Sequence, residues 1–349
     1  MERRKTRKVR LGNVCIGGMC PITVQSMTNT DTRDASSTIN QIKELEKAKC
    51  DIVRVAVPDM QSADAIRMIK KNIHIPLVAD IHFDYRLAIA SIENGVDGIR
   101  INPGNIGSEE KIKSVIDAAK YKGIPIRIGV NSGSLEKDIL SKYGKVTSEG
   151  LIESALRHVS ILEKYGFYDI VISIKSASVP MMIDSYRLIS QKVDYPLHLG
   201  VTEAGTKEIG TIKSSIGIGT LLSEGIGDTI RVSLTGNPLD EVKVGRHILK
   251  SLGIIKDGID FISCPTCGRT DIDLIKIAGE VEKRLEGIDK NIKVAVMGCV
   301  VNGPGEAREA DIGLAGGHKE CLIFKKGKPI RKVPEDMAVD ELMKEINNL

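Results

Sequence analysis

Tryptophan is absent from this 349-residue chain, and aromatic side chains make up only 3% of it. So ring-poor a sequence lacks the stacking platforms on which single-stranded nucleic-acid binders rely. Charge of one sign is scarce too. Fifty Lys and Arg stand against 46 Asp and Glu, leaving +4, too small an excess to argue for a nucleic-acid partner. No stretch reaches the ~18–20 consecutive apolar residues that a membrane span requires. Six of the first ten residues are Lys or Arg, from Arg3 to Arg10. No apolar segment follows them, which argues against a secretory signal and leaves a solvated N-terminal arm as the expectation. A cytoplasmic protein with neither nucleic acid nor membrane as partner is the reading.

Seven cysteines in a chain of this length are an odd number with no export signal, so metal or catalytic use is favoured over a disulfide framework. Cys15, Cys20 and Cys50 lie among apolar and glycine neighbours and are expected to be inert small hydrophobes.

What is present is a rhythm. From residue 22 short β-branched runs alternate with stretches of helical period, the pattern of a parallel sheet with helices outside it. Eight strands are expected: Ile22–Ser26, Asp51–Val57, Pro76–Asp80, Gly98–Asn102, Pro125–Asn131, Asp169–Lys175, Pro196–Thr202 and Asp228–Leu234. Between them, sets such as Ile39, Ile42, Leu45 and Ala48, or Ala63, Ile66 and Ile69, place apolar residues on one helical face. Eight β/α repeats over roughly 250 residues match a TIM (β/α)8 barrel. An open dinucleotide-binding sheet is disfavoured because no G-x-G-x-x-G follows a strand; Gly217-Ile218-Gly219 lacks the third glycine. The pattern changes around Gly253 to Gly258, a linker. The domains are therefore 1–253, the barrel, and 258–349, a small α+β domain with strands at Ile292–Met297 and Cys321–Lys325 and a helix at Asp271–Leu285.

Several barrel strands carry cations: Arg54, Arg100, Arg127, Lys175 and Arg231. By alternation Arg100 shares a face with Asn102, Arg127 with Gly129 and Asn131, and Arg231 with Ser233. Charges on buried strands are rare unless paired or used. Ion pairing with Asp80, Glu203 and Asp228 is one explanation. The other is an anion site, since the cations outnumber the acids at the strand ends and planar donors suit phosphate oxygens. Asp80 and His82 end the third strand on one face, placed to orient a substrate or move protons, and Glu203 follows the seventh.

In the second domain, Ser263-Cys264-Pro265-Thr266-Cys267-Gly268-Arg269 is a C-x-x-C knuckle, and a third thiol, Cys299, lies in a glycine-rich run. Zinc is disfavoured because Cys299 has no Cys or His partner nearby. Long irregular spacing with glycine flanks suits an iron-sulfur cluster. Spacing leaves the fourth ligand open between Cys321 and Glu306. A non-thiolate ligand would leave one iron exchangeable, as in catalytic metal sites. Rival readings are a metal-stabilised barrel that binds RNA or senses redox state, and a non-reductive lyase with a zinc-stapled tail.

Four ordered segments carry a resemblance over nearly the whole chain: PITVQSMTNTD at Pro21–Asp31, RINPGN at Arg100–Asn105, SCPTCGR at Ser263–Arg269 and MGCVVNGPGEA at Met297–Ala307. The chain resembles the 4-hydroxy-3-methylbut-2-enyl diphosphate synthase (IspG) family, in its short bacterial two-domain form. The resemblance implies reductive ring opening and dehydroxylation of 2-C-methyl-D-erythritol 2,4-cyclodiphosphate in the non-mevalonate isoprenoid pathway. It implies electrons delivered by flavodoxin or ferredoxin through a 4Fe-4S cluster on Cys264, Cys267, Cys299 and Glu306. It further implies that Arg54, Arg100, Asn102, Arg127, Asn131, Lys175 and Ser233 bind substrate, with Asp80, His82 and Glu203 near the reacting carbons and Glu203 as acid. A homodimer with sites shared between subunits completes what the resemblance implies.

Overall fold

The structure, a computed structural model, describes residues 2–256, 258–299 and 307–349. They fall into two units, Met1–Ile254 and Ile255–Leu349.

The first unit holds an antiparallel hairpin, β1 (Lys8–Leu11) and β2 (Val14–Gly17), and then eight parallel strands: β3 (Thr23–Met27), β4 (Ile52–Ala56), β5 (Leu77–Asp80), β6 (Gly98–Ile101), β7 (Ile126–Asn131), β8 (Ile170–Lys175), β9 (His198–Leu199) and β10 (Thr229–Ile230). They run in the order β8-β7-β6-β5-β4-β3-β10-β9, and a parallel bridge between Ile172 and Leu197 joins β8 to β9 and closes the ring. Each expected strand is present; the first begins and ends one residue later, and the others are shorter by a residue or more because the flanking Pro, Asp and Thr turn the chain. The helices form as their spacing dictates. In Ala35–Lys47 the Asp34 carboxylate caps the start by accepting from the Ser37 amide, and Thr38, Ile39, Ile42 and Leu45 are buried, one face turned to the sheet.

The hairpin, unforeseen in the sequence, packs Val9, Leu11 and Ile16 against Ile52, Val78 and Val171. These three are the first or second residues of β4, β5 and β8, so the hairpin seals the N-terminal end of the barrel. Burying three such side chains contributes about 1.5–3 kcal/mol each. Gly98 makes room for it: a Cβ there would lie 2.5 Å from Leu11 Cδ1.

Two expectations are corrected here. The basic N-terminus is no solvated arm. Arg3 donates to the Cys20 carbonyl (2.7 Å) and to Asp228 (3.3 Å), Arg4 to the carbonyls of Val193 (2.5 Å) and Tyr195 (2.6 Å), and Arg7 to Asp194 (2.8 Å). Loops at this end of the barrel leave carbonyls unpaired, and guanidinium forks satisfy them. Nor are Cys15 and Cys20 separate hydrophobes, because they form a disulfide. Left-handed backbone at Gly17, Gly18 and Met19 (φ 74°, 56° and 68°) turns the chain back so that Cys20 meets Cys15. Cys50 is buried as expected, and burial pushes its thiol up to about 12.

The second unit is a five-stranded sheet, β11 (Asp260–Ser263), β12 (Lys293–Met297), β13 (Ile312–Gly317), β14 (Glu320–Lys325) and β15 (Lys328–Pro334), in sequential order. The first three strands are parallel and the last two antiparallel. Helices Leu274–Leu285 and Ala338–Asn347 cover one face through Ile277, Val281, Leu285, Leu342 and Ile346. Among the described residues no helix is long and apolar enough to cross a membrane.

Candidate active site

Neighbouring strands place Asp80, Arg100 and Arg127 side by side in register, and the interior of the barrel is built on that row. Asp80 is 3% exposed. It accepts from Arg100 Nη1 at 3.2 Å, lies 3.6 Å from Arg54 Nε, and has His82 Nε2 at 3.6 Å. Burial raises its affinity for a proton, but Arg54, His82, Arg100 and Lys175 outweigh it and hold the carboxyl well below the usual range. Asp80 is therefore a permanent anion that spaces two guanidiniums. Arg100 also donates to the Gly129 carbonyl (3.4 Å) and to Asn131 Oδ1 (3.2 Å).

Arg127 is buried as well. Its Nη1 donates to Gln25 Oε1 and to His198 Nδ1, the latter at 3.2 Å. Burial and the cations Arg127, Arg54 and Arg231 push His198 well below its ordinary range, so its ring is neutral and Nδ1 is the acceptor. Arg231 follows β10 at 3.6 Å from Glu241. Glu241, 5% exposed in the helix Pro238–Ser251, also accepts from Ser26 Oγ (3.1 Å) and from the Leu234 amide (3.0 Å). It thereby fixes the turn that carries Ser233.

The structure thus gathers Arg54, Asp80, His82, Arg100, Arg127, Asn131 and Lys175 in the barrel, with Arg231 beside Glu241. Asn102 is engaged locally, where its Oδ1 accepts from the Gly104 amide (3.2 Å) and caps the helix Pro103–Ile106. Glu203 is exposed and has a left-handed backbone, φ 51°. The ion-pair explanation of the strand cations accounts for Asp80 alone. Asp228 serves Arg3, Thr6 and the Leu197 amide, and Glu203 makes no ion pair among the described residues. His198 and Glu241 are neighbours of the site that reasoning from strand ends missed. Glu241 left no signal, because an acid in the first turn of a helix is ordinary.

On the barrel cations, four buried guanidinium nitrogens, Arg100 Nε, Arg127 Nε, Arg127 Nη2 and Arg231 Nε, have no hydrogen-bond partner among the described residues. Orphaned donors of fixed positive charge are costly in a protein interior. They suit a ligand rich in anionic oxygens.

In the second unit, parallel pairing of β11 and β12 brings two cysteine turns together. Cys264 follows β11, and its Sγ accepts from the Gly298 amide at 3.0 Å. Cys299 is the next residue after Gly298. Cys267 is exposed, and the Arg269 amide with the Thr270 hydroxyl favours its thiolate. Among the described residues no three His, Cys, Asp or Glu side chains converge on one metal position. The donor set nonetheless fits an iron-sulfur group: free thiols beside backbone N–H donors, on turns kept slim by glycine. Cys321 is fully buried in β14 on the helix-covered face, its thiol pushed up to about 12 by burial. Glu306, the other candidate, lies outside the described residues.

Comparison with known proteins agrees with this layout. The family model described as GcpE TIM-barrel domain matches residues 6–246, and that described as GcpE protein C-terminal domain matches residues 260–348. A Clostridium acetobutylicum protein named 4-hydroxy-3-methylbut-2-en-1-yl diphosphate synthase (flavodoxin) is 71% identical over 349 residues, covering 100% of both chains. A Geobacter sulfurreducens protein of the same name is 58% identical, covering 99% of this chain and 98% of its own. Among solved structures, 3-dehydroquinate dehydratase from Geobacillus kaustophilus aligns with a TM-score of 0.50 at 15% identity, over 72% of this chain and 99% of that one. That likeness concerns the barrel fold alone.

Proposed function

This chain belongs to the GcpE family of 4-hydroxy-3-methylbut-2-en-1-yl diphosphate synthases, and we propose that it works through a 4Fe-4S cluster on Cys264, Cys267, Cys299 and Glu306 with its substrate held in the barrel. The enzyme is an oxidoreductase of the non-mevalonate isoprenoid pathway. It converts 2-C-methyl-D-erythritol 2,4-cyclodiphosphate to 4-hydroxy-3-methylbut-2-enyl diphosphate by reductive dehydroxylation and ring opening, with flavodoxin as electron donor. We assign substrate binding to residues 1–253 and the cluster to residues 258–349, in a cytoplasmic homodimer whose subunits share their sites.

The observation that carries the site assignment is the set of four unpartnered, buried guanidinium donors on Arg100, Arg127 and Arg231. Arg54, Arg100, Arg127 and Lys175 bind the diphosphate oxygens, Ser233 adds a hydroxyl, and Asn102 and Asn131 position the ring. Asp80 stays ionised and orients Arg54, Arg100 and His82 rather than exchanging protons itself. Glu203, with His82 as the alternative, holds the proton that accompanies loss of the hydroxyl. When bound, the cluster supplies one electron at a time to the C–O bond that breaks.

An anaerobic assay of the cyclic diphosphate with a chemical reductant tests the whole reading, with iron and sulfide analysis of the same sample. Loss of the ring together with stoichiometric sulfide is expected; zinc without sulfide would sink it. Glu306→Ala should keep the brown chromophore and lose most turnover. Unchanged turnover would remove Glu306 from the mechanism.

A further inference from the structure

Five basic side chains of the barrel, Arg54, Arg100, Arg127, Lys175 and Arg231, stand among the described residues with two carboxylates, Asp80 and Glu241. Asp80, on β5, is divided between Arg54 (3.6 Å) and Arg100 (3.2 Å), with His82 also at 3.6 Å. Glu241 lies 3.6 Å from Arg231. Arg127 has the neutral partners Gln25 and His198. Lys175 closes β8 opposite Asn131 and makes no ion pair among the described residues. The charged and titratable groups that act on it are Arg54 from β4, Asp80 from β5, Arg100 from β6 and Arg127 from β7. His198 of β9 feels the Lys175 charge in turn.

Arg54, Arg100 and Arg127 are buried, Lys175 and Arg231 half-buried, so the cluster carries three more cations than anions when every group is charged, and like charges partly shielded from water repel one another. Four of the five cations are guanidiniums, which do not give up a proton in proteins. Lys175 alone can relieve the excess. We propose that the Lys175 amine is uncharged in the substrate-free enzyme and takes up a proton when the diphosphate binds, so that substrate capture delivers a proton to the reaction site. This rests on the assignment of the diphosphate to the barrel.

The electrostatics agree in direction. Burial first, then Arg54 and Arg100, bring the ammonium down from its ordinary range to about 6. A bound dianion raises it again. Between the two values binding takes up a proton, and affinity falls as pH rises through the higher one. The cyclic diphosphate has one ionised oxygen on each phosphorus and no group that titrates near neutrality, so the proton count reports on the protein.

Isothermal titration of the cyclic diphosphate into anaerobic holoenzyme without reductant, so that nothing turns over, tests this. Repeating it at about pH 7.5 in Hepes, Mops and Tris gives the protons exchanged as the slope of heat against buffer ionisation enthalpy. About one proton taken up per substrate is expected, unchanged in His82→Gln and near zero in Lys175→Arg, which carries a fixed charge. Binding with zero slope in the parent enzyme overturns the inference alone, as does a slope that survives Lys175→Arg. Where Lys175→Arg fails to fold, zero slope in the parent, or a slope lost in His82→Gln, still overturns the inference. No binding heat in the parent overturns the barrel assignment and this inference together.

Discussion

Gly129 lies in β7 with its face toward Arg100, and adding one methyl group there tests whether Arg100 must sit where it does. A Cβ at Gly129 would fall 2.3 Å from Arg100 Nε, 2.5 Å from Nη2 and 2.7 Å from Cζ, far inside contact distance. The backbone need not yield. Gly129 has no left-handed φ and pairs with Ser173 inside a regular strand. What gives is the guanidinium, which is 1% exposed and clamped by Asp80, the Gly129 carbonyl and Asn131. Displacing it loosens a buried ion pair and forfeits one charge-assisted contact to the substrate, about 1.5–3 kcal/mol. That converts to about 10- to 150-fold in KM, with secondary structure retained. Steady-state kinetics of Gly129→Ala under anaerobic conditions, beside Arg100→Lys and the double variant, measure it. The slimmer Lys leaves space for the methyl group, so the two changes should be less than additive. A KM within about twofold of the parent would refute the claim that this contact positions the substrate.

Two further outcomes follow from local structure. Glu203 holds a left-handed backbone (φ 51°) that costs a side-chain-bearing residue about 1–2 kcal/mol. Glu203→Gly should therefore match or exceed the parent in thermal stability while losing about 100-fold or more in turnover; a destabilised variant with full activity would contradict both halves. Glu136 pairs with the buried His158 at 3.0 Å. Burial works against its charge, but His158 and Ser154 outweigh it and lower the carboxyl to about 2. Its stabilisation is present above the unfolded value near 4.5 and is lost as pH falls toward about 2. Urea denaturation should show Glu136→Gln weaker than the parent by about 1–3 kcal/mol at pH 7, with the gap shrinking at pH 3. A gap independent of pH would remove the carboxylate from the account.

The barrel was legible because parallel strands covered on both faces read as apolar runs, which makes a cation inside one conspicuous. Arg54, Arg100, Arg127 and Lys175 stood out for that reason, and the cysteine turns stood out by spacing. Edge strands hide by the opposite device. In β15, KPIRKVP, only Val333 is buried, and β11 has no buried residue, so neither shows the apolar alternation that betrays a strand. The β1 and β2 hairpin was masked by its charges, although buried Val9 and Leu11 alternate with exposed Lys8 and Arg10 ahead of Gly12-Asn13.

The counter-charges were the least legible part of the site, and they decide its character. Judged by position in the chain, Glu203 and Asp228 belong beside the strand cations, and with Asp80 they narrow the excess of positive charge. In the fold Asp228 is spent on Arg3 and the Leu197 amide, Glu203 stands exposed, and the acid that does reach the interior is Glu241, which comes from a helix. A strand residue's side is fixed by alternation, so its direction can be read from sequence. A helix residue in the first turn faces core or solvent according to packing that only the folded chain supplies. The exchange of Asp228 and Glu203 for Glu241 widens the excess of positive charge in the barrel. A dianionic ring cancels most of that excess, and the one amine in the set can adjust to the remainder.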